Sequence, residues 1–334
     1  MNGNSIKILD CTLRDGGYLN DWNFGKATIQ SILVNLNRSK IDFIECGFLK
    51  EGNYSEDKTF FGSVRDLESL VLERQSYTLM VNFGEYSIEN FSECVNKNIK
   101  IRVAFKKHNQ LEALDYILKL KKLGWDVFAN PMSTNTYSKE ELEKLILDIN
   151  TIEPFGVSIV DTLGNMYEKD VLELFEFFDK NLSPQIALGF HSHNSLQLSF
   201  SNTKVLLKMN IKRLIVIDSC LYGMGRGAGN LCTELFTKYL NDTNGSQYEI
   251  LPLLKSIDND LKPIFNESPW GYSTPYYIAA LHGCHPNYAA NLVKKGFSDE
   301  EIDKALSQIP SDKRVSYDKN VLDSLLTVFK YSPI

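Results

Sequence analysis

Between Ile6 and Leu240 the chain repeats one pattern eight times: a short β-rich run, then a stretch with its apolar residues at helical spacing. The strand candidates are Ile6–Thr12, Asp42–Phe48, Tyr77–Phe83, Ile99–Phe105, Trp125–Pro131, Phe155–Thr162, Gln185–His193 and Arg213–Cys220. Between them, sets such as Ile29, Ile32, Leu33 and Leu36, or Leu111, Leu114, Ile117, Leu118 and Leu120, carry the helical period. Ser138 ahead of Glu140 and Glu141, and Ser87 ahead of Glu89, read as helix starts. Alternation of this kind implies parallel strands joined by right-handed crossovers.

Eight such units in about 240 residues predict an α/β fold, a (β/α)8 TIM barrel. A doubly wound open sheet would offer a Gly-rich phosphate turn after its first strand, whereas this strand runs into Leu13-Arg14-Asp15-Gly16-Gly17-Tyr18. The barrel also gathers the unusual polar residues at C-terminal strand ends, where such folds keep their chemistry. These are Arg14 and Asp15, Glu45, Asn82, Lys106, Asn130, Asp161, His191 with His193, and Asp218. Past Leu240 the rhythm changes. Asn241–Ser246 reads as a polar linker, and from Gln247 the tail reads as helices only, with a capping box at Ser298 and Glu301. The expected organisation is a barrel over 1–240 and a helical C-terminal domain over 247–334.

A net charge of -6 and no basic cluster interleaved with aromatics argue against nucleic acid as a partner. No apolar run approaches the roughly 20 residues needed to cross a bilayer, and Met1–Ser5 is short and polar, so a cytoplasmic protein is expected. The six cysteines are scattered, with no pair at metal-knuckle spacing, and read as reduced thiols.

Phe190-His191-Ser192-His193-Asn194 closes the seventh strand. Residues i and i+2 of a strand project to one face, so both imidazoles point to one place. With Asp15 after strand one, they form one oxygen donor and two nitrogen donors on the same rim. That set suits Mn²⁺, Mg²⁺, Co²⁺ or Zn²⁺ with positions left open for substrate, and the lack of thiolate neighbours argues against structural zinc. The run Gly223–Asn230 after the last strand is placed like a phosphate or carboxylate cradle, or like a flexible closing turn.

Five stretches together resemble the DRE-TIM metallolyases: Asp10-Cys11-Thr12-Leu13-Arg14-Asp15-Gly16, Ile44-Glu45-Cys46-Gly47-Phe48, Asp161-Thr162-Leu163-Gly164, Gly189–Asn194 and Gly225–Asn230. The resemblance spans residues 6 to 240 and is nearest in look to the oxovalerate aldolases. It implies that Asp15, His191 and His193 bind a divalent cation, with Asn230 beside or on it, and that Arg14 stabilises an enolate. Glu45, Asn130 and Asp161 are the expected substrate contacts. Two positions depart from the pattern: Tyr18 stands where the aldolases carry a histidine, and Leu221 where the methylglutaryl-CoA lyases carry a cysteine. Tyr18 is therefore a candidate proton carrier or a lid. Tyr272, in Trp270-Gly271-Tyr272-Ser273-Thr274, is similar to a Tyr-Ser-Ser segment that brings a second acid near the aldolase site.

The resemblance implies a divalent-metal-dependent aldolase, a carbon–carbon lyase acting through a metal-bound enolate of pyruvate or a related α-keto acid, Mn²⁺ or Mg²⁺ foremost, with an aldehyde as the other small-molecule partner. A Claisen-type acyltransferase using an acyl-CoA is the alternative within enzymes. A non-catalytic barrel acting as a binding partner is the alternative outside them, and four convergent polar groups argue against it. For the tail, the resemblance to the oxovalerate aldolases implies contact with an aldehyde dehydrogenase, and a homodimer contact is the alternative; Pro275–Ile278 and Asn287–Ala290 would serve either.

Overall fold

Residues 6–72 and 75–331 are described by a computed structural model. Eight parallel strands form a closed ring: β1 (Ile6–Asp10), β2 (Phe43–Leu49), β3 (Ser76–Asn82), β4 (Ile99–Phe105), β5 (Val127–Pro131), β6 (Gly156–Asp161), β7 (Ala187–Ser192) and β8 (Ile215–Ser219). Each pairs with the next in sequence, and β8 closes on β1 in the register Ile6↔Ile215 to Asp10↔Ser219. The closed parallel barrel expected from the alternation is therefore present. Phe60 and Phe61 add a two-residue strand alongside the end of β2.

The crossovers follow local sequence. Ser138 caps the helix Lys139–Ile152 by accepting the Glu141 amide, while the Glu141 carboxylate takes the Ser138 amide at 2.6 Å. That reciprocal pair satisfies two amides that the helix start leaves open. The third crossover differs from expectation: after Ser87 only a 3-10 turn, Ile88–Asn90, forms. Phe91 instead packs edge-on against Tyr86, Tyr116 and Trp125, so aromatic side chains cover this part of the barrel in place of a helix. The last crossover helix, Thr233–Asn244, runs through most of the polar stretch expected as a linker and ends on Gly245, whose φ of 71° is open to glycine at little cost.

Beyond Gly245, the helical segments Ile250–Ser256, Ile257–Leu261 and Lys262–Glu267 bury Leu253, Ile257 and Leu261 in the barrel's own apolar cluster. A second cluster, built on Tyr288, Leu292, Ile302, Leu306 and Leu322, gathers the helices from Thr274 onward. Among the described residues no helix is long and apolar enough to cross a membrane. Under the helix Glu168–Asn181, Phe175 is fully buried and meets the Phe190 ring edge-on at 5.6 Å. Phe175→Ala should lower unfolding free energy by about 3–5 kcal/mol in urea titrations; a loss below about 1 kcal/mol would mean that this face of the barrel is not closely packed.

Candidate active site and metal centre

The turn after β1 is pinned before it reaches the site. Asp10 accepts from the Thr12 amide at 3.0 Å and from the Thr233 hydroxyl at 2.6 Å, tying the end of β1 to the helix that follows β8. Thr12–Asp15 then makes one helical turn with Arg14 and Asp15 both buried. Close approach explains the glycines around it. A Cβ on Gly17 would lie 2.0 Å from Trp22, and one on Gly225 would lie 2.1 Å from the Asn230 amide nitrogen.

From Arg14 a chain of buried charges crosses the barrel interior. Arg14 donates through Nε to Glu45 at 2.6 Å and through Nη1 to Asp15. The second Glu45 oxygen accepts from Arg102 at 3.1 Å, and Arg102 donates again to Asp218 at 2.5 Å. Asp218 in turn meets Nδ1 of His191 at 3.0 Å. Two guanidiniums thus face three carboxylates, and one negative charge is left over. Burial works against a protonated His191, but Asp218 and Cys11 raise it to about 10, so with these side chains alone the ring holds the balancing proton.

Beside His191, burial takes His193 down to about 3 against the pull of Asp15, which leaves that imidazole neutral with a lone pair to give. Burial would raise Asp15, yet Arg14 and the two imidazoles hold it well below the usual carboxylate range. Asp15, His191 and His193 each present a ligand atom within 4.8 Å of the others. Cys11, His191 and Asp218 form a second such group that shares His191. His193 lies past the end of β7 and bridges to Asn230. Asn230 donates to Asp15 at 2.6 Å and to the Met224 carbonyl at 3.0 Å, while its own Oδ1 is buried without a partner. An unpartnered buried carbonyl oxygen beside an ionised carboxylate and a neutral imidazole fits a hard cation.

The ligand set opens into an inner chamber of about 70 Å³. One water needs roughly 10–15 Å³ on that scale, so a small keto acid is the right order of size and a long chain is not. Above it, against the helices of the tail, lies an outer chamber of about 500 Å³. Tyr18, Met132, Thr162 and Arg226 border both.

The structure brings Arg14, Asp15, Tyr18, Asn130, His191 and His193 to the inner chamber, with Asn230 beside Asp15. The partly exposed Tyr18 lies edge-on to Trp22 at 4.6 Å, and the Arg226 guanidinium stands 4.8 Å from its ring centre. Glu45 does not line the chamber, its oxygens being engaged by the two arginines. Nor does Asp161, which accepts the amides of Asn165 at 3.1 Å and Met166 at 3.2 Å while burial pushes it up to about 6. Tyr272 is exposed, pairs with Tyr277 at 6.3 Å and borders neither chamber. Sequence reasoning misses Arg102 and Arg226. The signal for Arg102 is a charge two residues from Lys100 inside the otherwise apolar Ile99–Phe105; Arg226 hides in a glycine run that is weighed as a turn.

A model of the HMGL-like family matches residues 5–255. The chain belongs to this family. Relatives within reach of the HMGL-like chain include the 4-hydroxy-2-oxovalerate aldolase of Roseiflexus castenholzii, 25% identical over 294 residues that cover 84% of this chain and 86% of that protein. The enzyme of the same name from Pelotomaculum thermopropionicum is 26% identical over 247 residues, 70% of each chain. Among solved structures, the N-terminal domain of a candidate aldolase from Bacteroides vulgatus matches with a TM-score of 0.75 and 27% identity, over 90% of this chain and 99% of that one. The HMG-CoA lyase of Bacillus subtilis matches with a TM-score of 0.63 over 80% of this chain and 95% of that one, and at 17% identity it speaks for the fold alone. This HMGL-like protein is an enzyme, and the resemblance to the DRE-TIM metallolyases holds.

Arg102 is the joint of the charge chain. Arg102→Met should leave Glu45 and Asp218 short of a partner and lower stability by about 3–5 kcal/mol. Denaturant titration measures it; a variant as stable as the parent would show that the two carboxylates do not depend on this guanidinium.

Proposed function

We propose that this HMGL-like enzyme is a divalent-metal-dependent aldolase that makes or breaks a carbon–carbon bond at the methyl carbon of pyruvate or a related α-keto acid. The observation that carries the reading is the convergence of Asp15, His191 and His193 within 4.8 Å of one another, beside Arg14 and the unpartnered Oδ1 of Asn230. Relatives named 4-hydroxy-2-oxovalerate aldolase support the reaction class. Asp15, His191 and His193, with Asn230 as a further donor, would hold the ion. Bound there, a divalent ion such as Mn²⁺ or Mg²⁺ supplies a Lewis acid for the keto acid's oxygens.

The chain's own residues do the rest. Glu45 and Asp15 fix the guanidinium of Arg14, a residue that lines the inner chamber and has N–H groups left to give. They are placed to stabilise the oxygen that turns negative as the enolate forms. In cleavage the C4 hydroxyl gives its proton to solvent water, the C3–C4 bond breaks, the aldehyde departs with C4, the bond's electron pair goes into the enolate, and C3 takes a proton back from water. In condensation the enolate carbon attacks the aldehyde and the new alkoxide takes a proton. Burial raises Tyr18 against the pull of Arg226 and Arg14, so the phenol keeps its proton and serves as that donor.

Four measurements test the reading. A product screen with Mn²⁺ should give aldol adducts from pyruvate or oxaloacetate and an aldehyde; products from acetyl-CoA alone would replace the aldolase by a Claisen acyltransferase. His191→Ala and His193→Ala should each lower metal content in elemental analysis, and full occupancy in both would sink the ligand set. Because His191 titrates at about 10 with protein partners alone, an ion must displace its proton, so affinity should rise with pH between 6 and 8, approaching tenfold per unit, with one proton released per ion in calorimetry. A pH-independent affinity would remove His191 from the ligands. Arg14→Lys keeps the charge but loses the planar fork, and should cost roughly 100- to 1,000-fold in turnover while metal content holds. Near-parental turnover would place Arg14 outside the chemistry.

A further inference from the structure

The outer chamber has a charge pattern that enolate chemistry does not require. Arg226, on the loop after β8, borders both chambers, and its Nε is buried without a hydrogen-bond partner. Among the described residues no carboxylate forms an ion pair or hydrogen bond with it, although its charge helps to hold Asp15 low from farther off; its ring contact is the face of Tyr18. Lys106, just past β4, lines the same space and likewise has no carboxylate partner. Lys107 differs, being engaged by Glu141 at 2.6 Å and by the Thr136 carbonyl. His285 adds a donor from the tail. Its Nδ1 accepts the Asn287 amide at 3.2 Å, so in the neutral ring the proton sits on Nε2. Burial, with Arg226, His193 and Lys106 nearby, holds His285 well below its ordinary value and so neutral. Against these donors Asp312 is the one carboxylate in the lining.

An unpaired guanidinium with a buried, unsatisfied N–H costs free energy unless a ligand completes it. The position of Arg226 says which part of the substrate does so. It stands where the two chambers meet, so a group it holds lies beyond the keto-acid end and toward the open one.

We infer that the outer chamber is the acceptor subsite and that the aldehyde half of the substrate carries its own anionic group, a carboxylate or a phosphate, received by Arg226, Lys106 and Nε2–H of His285. The inference rests on the aldolase reading and extends it to the class of aldehyde. The 500 Å³ space accommodates either group, and chemistry alone does not separate them.

The test uses the full chain loaded with Mn²⁺, and pyruvate as donor. Exchange of the pyruvate methyl protons in D₂O, with no aldehyde present, reports enolisation by itself. Condensation is then compared for succinic semialdehyde against butanal, and for glyceraldehyde 3-phosphate against glyceraldehyde. At least one anionic aldehyde should be preferred over its neutral counterpart by tenfold or more in kcat/KM, and whichever pair shows it identifies carboxylate or phosphate. Arg226→Gln should cut that preference by roughly 10- to 100-fold through the KM of the aldehyde, the effect of losing a hydrogen bond to a charged group. Lys106→Gln, on an exposed side chain with little part in folding, should cut it in the same direction. Exchange without any preference in the parent enzyme overturns the inference and leaves the aldolase reading standing. So does a rise in the KM of pyruvate that is equal for charged and neutral aldehydes, which would place Arg226 on the keto acid's own carboxylate. No exchange and no product overturn both.

Discussion

A single unbalanced negative charge buried in the barrel mouth is the constraint on which the rest of the site depends. Asp15, Glu45 and Asp218 are set against Arg14 and Arg102, all of them within a few per cent of full burial. Ion pairs taken out of water recover their desolvation only when geometry is good and further hydrogen bonds fill the open positions. Here each carboxylate is shared between two partners, with Asp218 Oδ1 and Arg102 Nε left unfilled, and the links run from the first turn through β2 and β4 to β8 and β7. Hydrophobic residues of similar volume would fold as well or better. What they would not do is hold Arg14 and the His191 ring in fixed orientation while leaving one charge for a proton or a cation to balance.

Much of this was legible from the chain, for reasons that are local. The strand–helix period places each barrel strand within about two residues, because in a parallel barrel the strand's own apolar residues and the flanking helix pattern determine the same boundary. Rim residues were legible because polar groups at strand ends stand out in apolar runs. The third crossover was not, since Ser87 and Glu89 carry a start signal but the covering of that face falls to Phe91, Tyr116 and Trp125, which meet only in three dimensions. Arg102 was missed for the same reason: its partners stand 57 and 116 residues away. Glu45 and Asp161 read as substrate contacts because both come to the rim, and a sequence does not say that an oxygen is already engaged by a neighbour's guanidinium or by loop amides.

The two chambers divide the labour between the barrel and its extension. Barrel strand ends and the loops after β1 and β8 line the inner one, with no residue of the tail among them. The outer one is completed by His285, Asn287 and Tyr317. His285 is set in place by its amide, which donates to the Arg314 carbonyl at 2.7 Å, and Gly227 in the loop that carries Arg226 comes against Pro286 and Tyr276. The extension thus bears directly on the outer chamber, and on the inner one only through the loop that carries Arg226.

His191 belongs to two groups of ligand-type side chains, and their surroundings decide which one suits an ion. In the group with Cys11 and Asp218, the Asp218 Oδ2 already accepts from Arg102 and faces His191 Nδ1. Both carboxylates face a buried guanidinium, Asp218 that of Arg102 and Asp15 that of Arg14, so the difference lies in the ring: a cation beside Asp218 would use the nitrogen that orients it. In the group with Asp15 and His193, Asp218 keeps Nδ1, so Nε2 is the nitrogen left to bind. That is the carboxylate–histidine arrangement that fixes tautomer and ring angle at metal sites. His193 is neutral there, and Asn230 brings an oxygen with no other partner. The first group is therefore better understood as the support behind the ligand, and the second as the place where the leftover charge of the network is met.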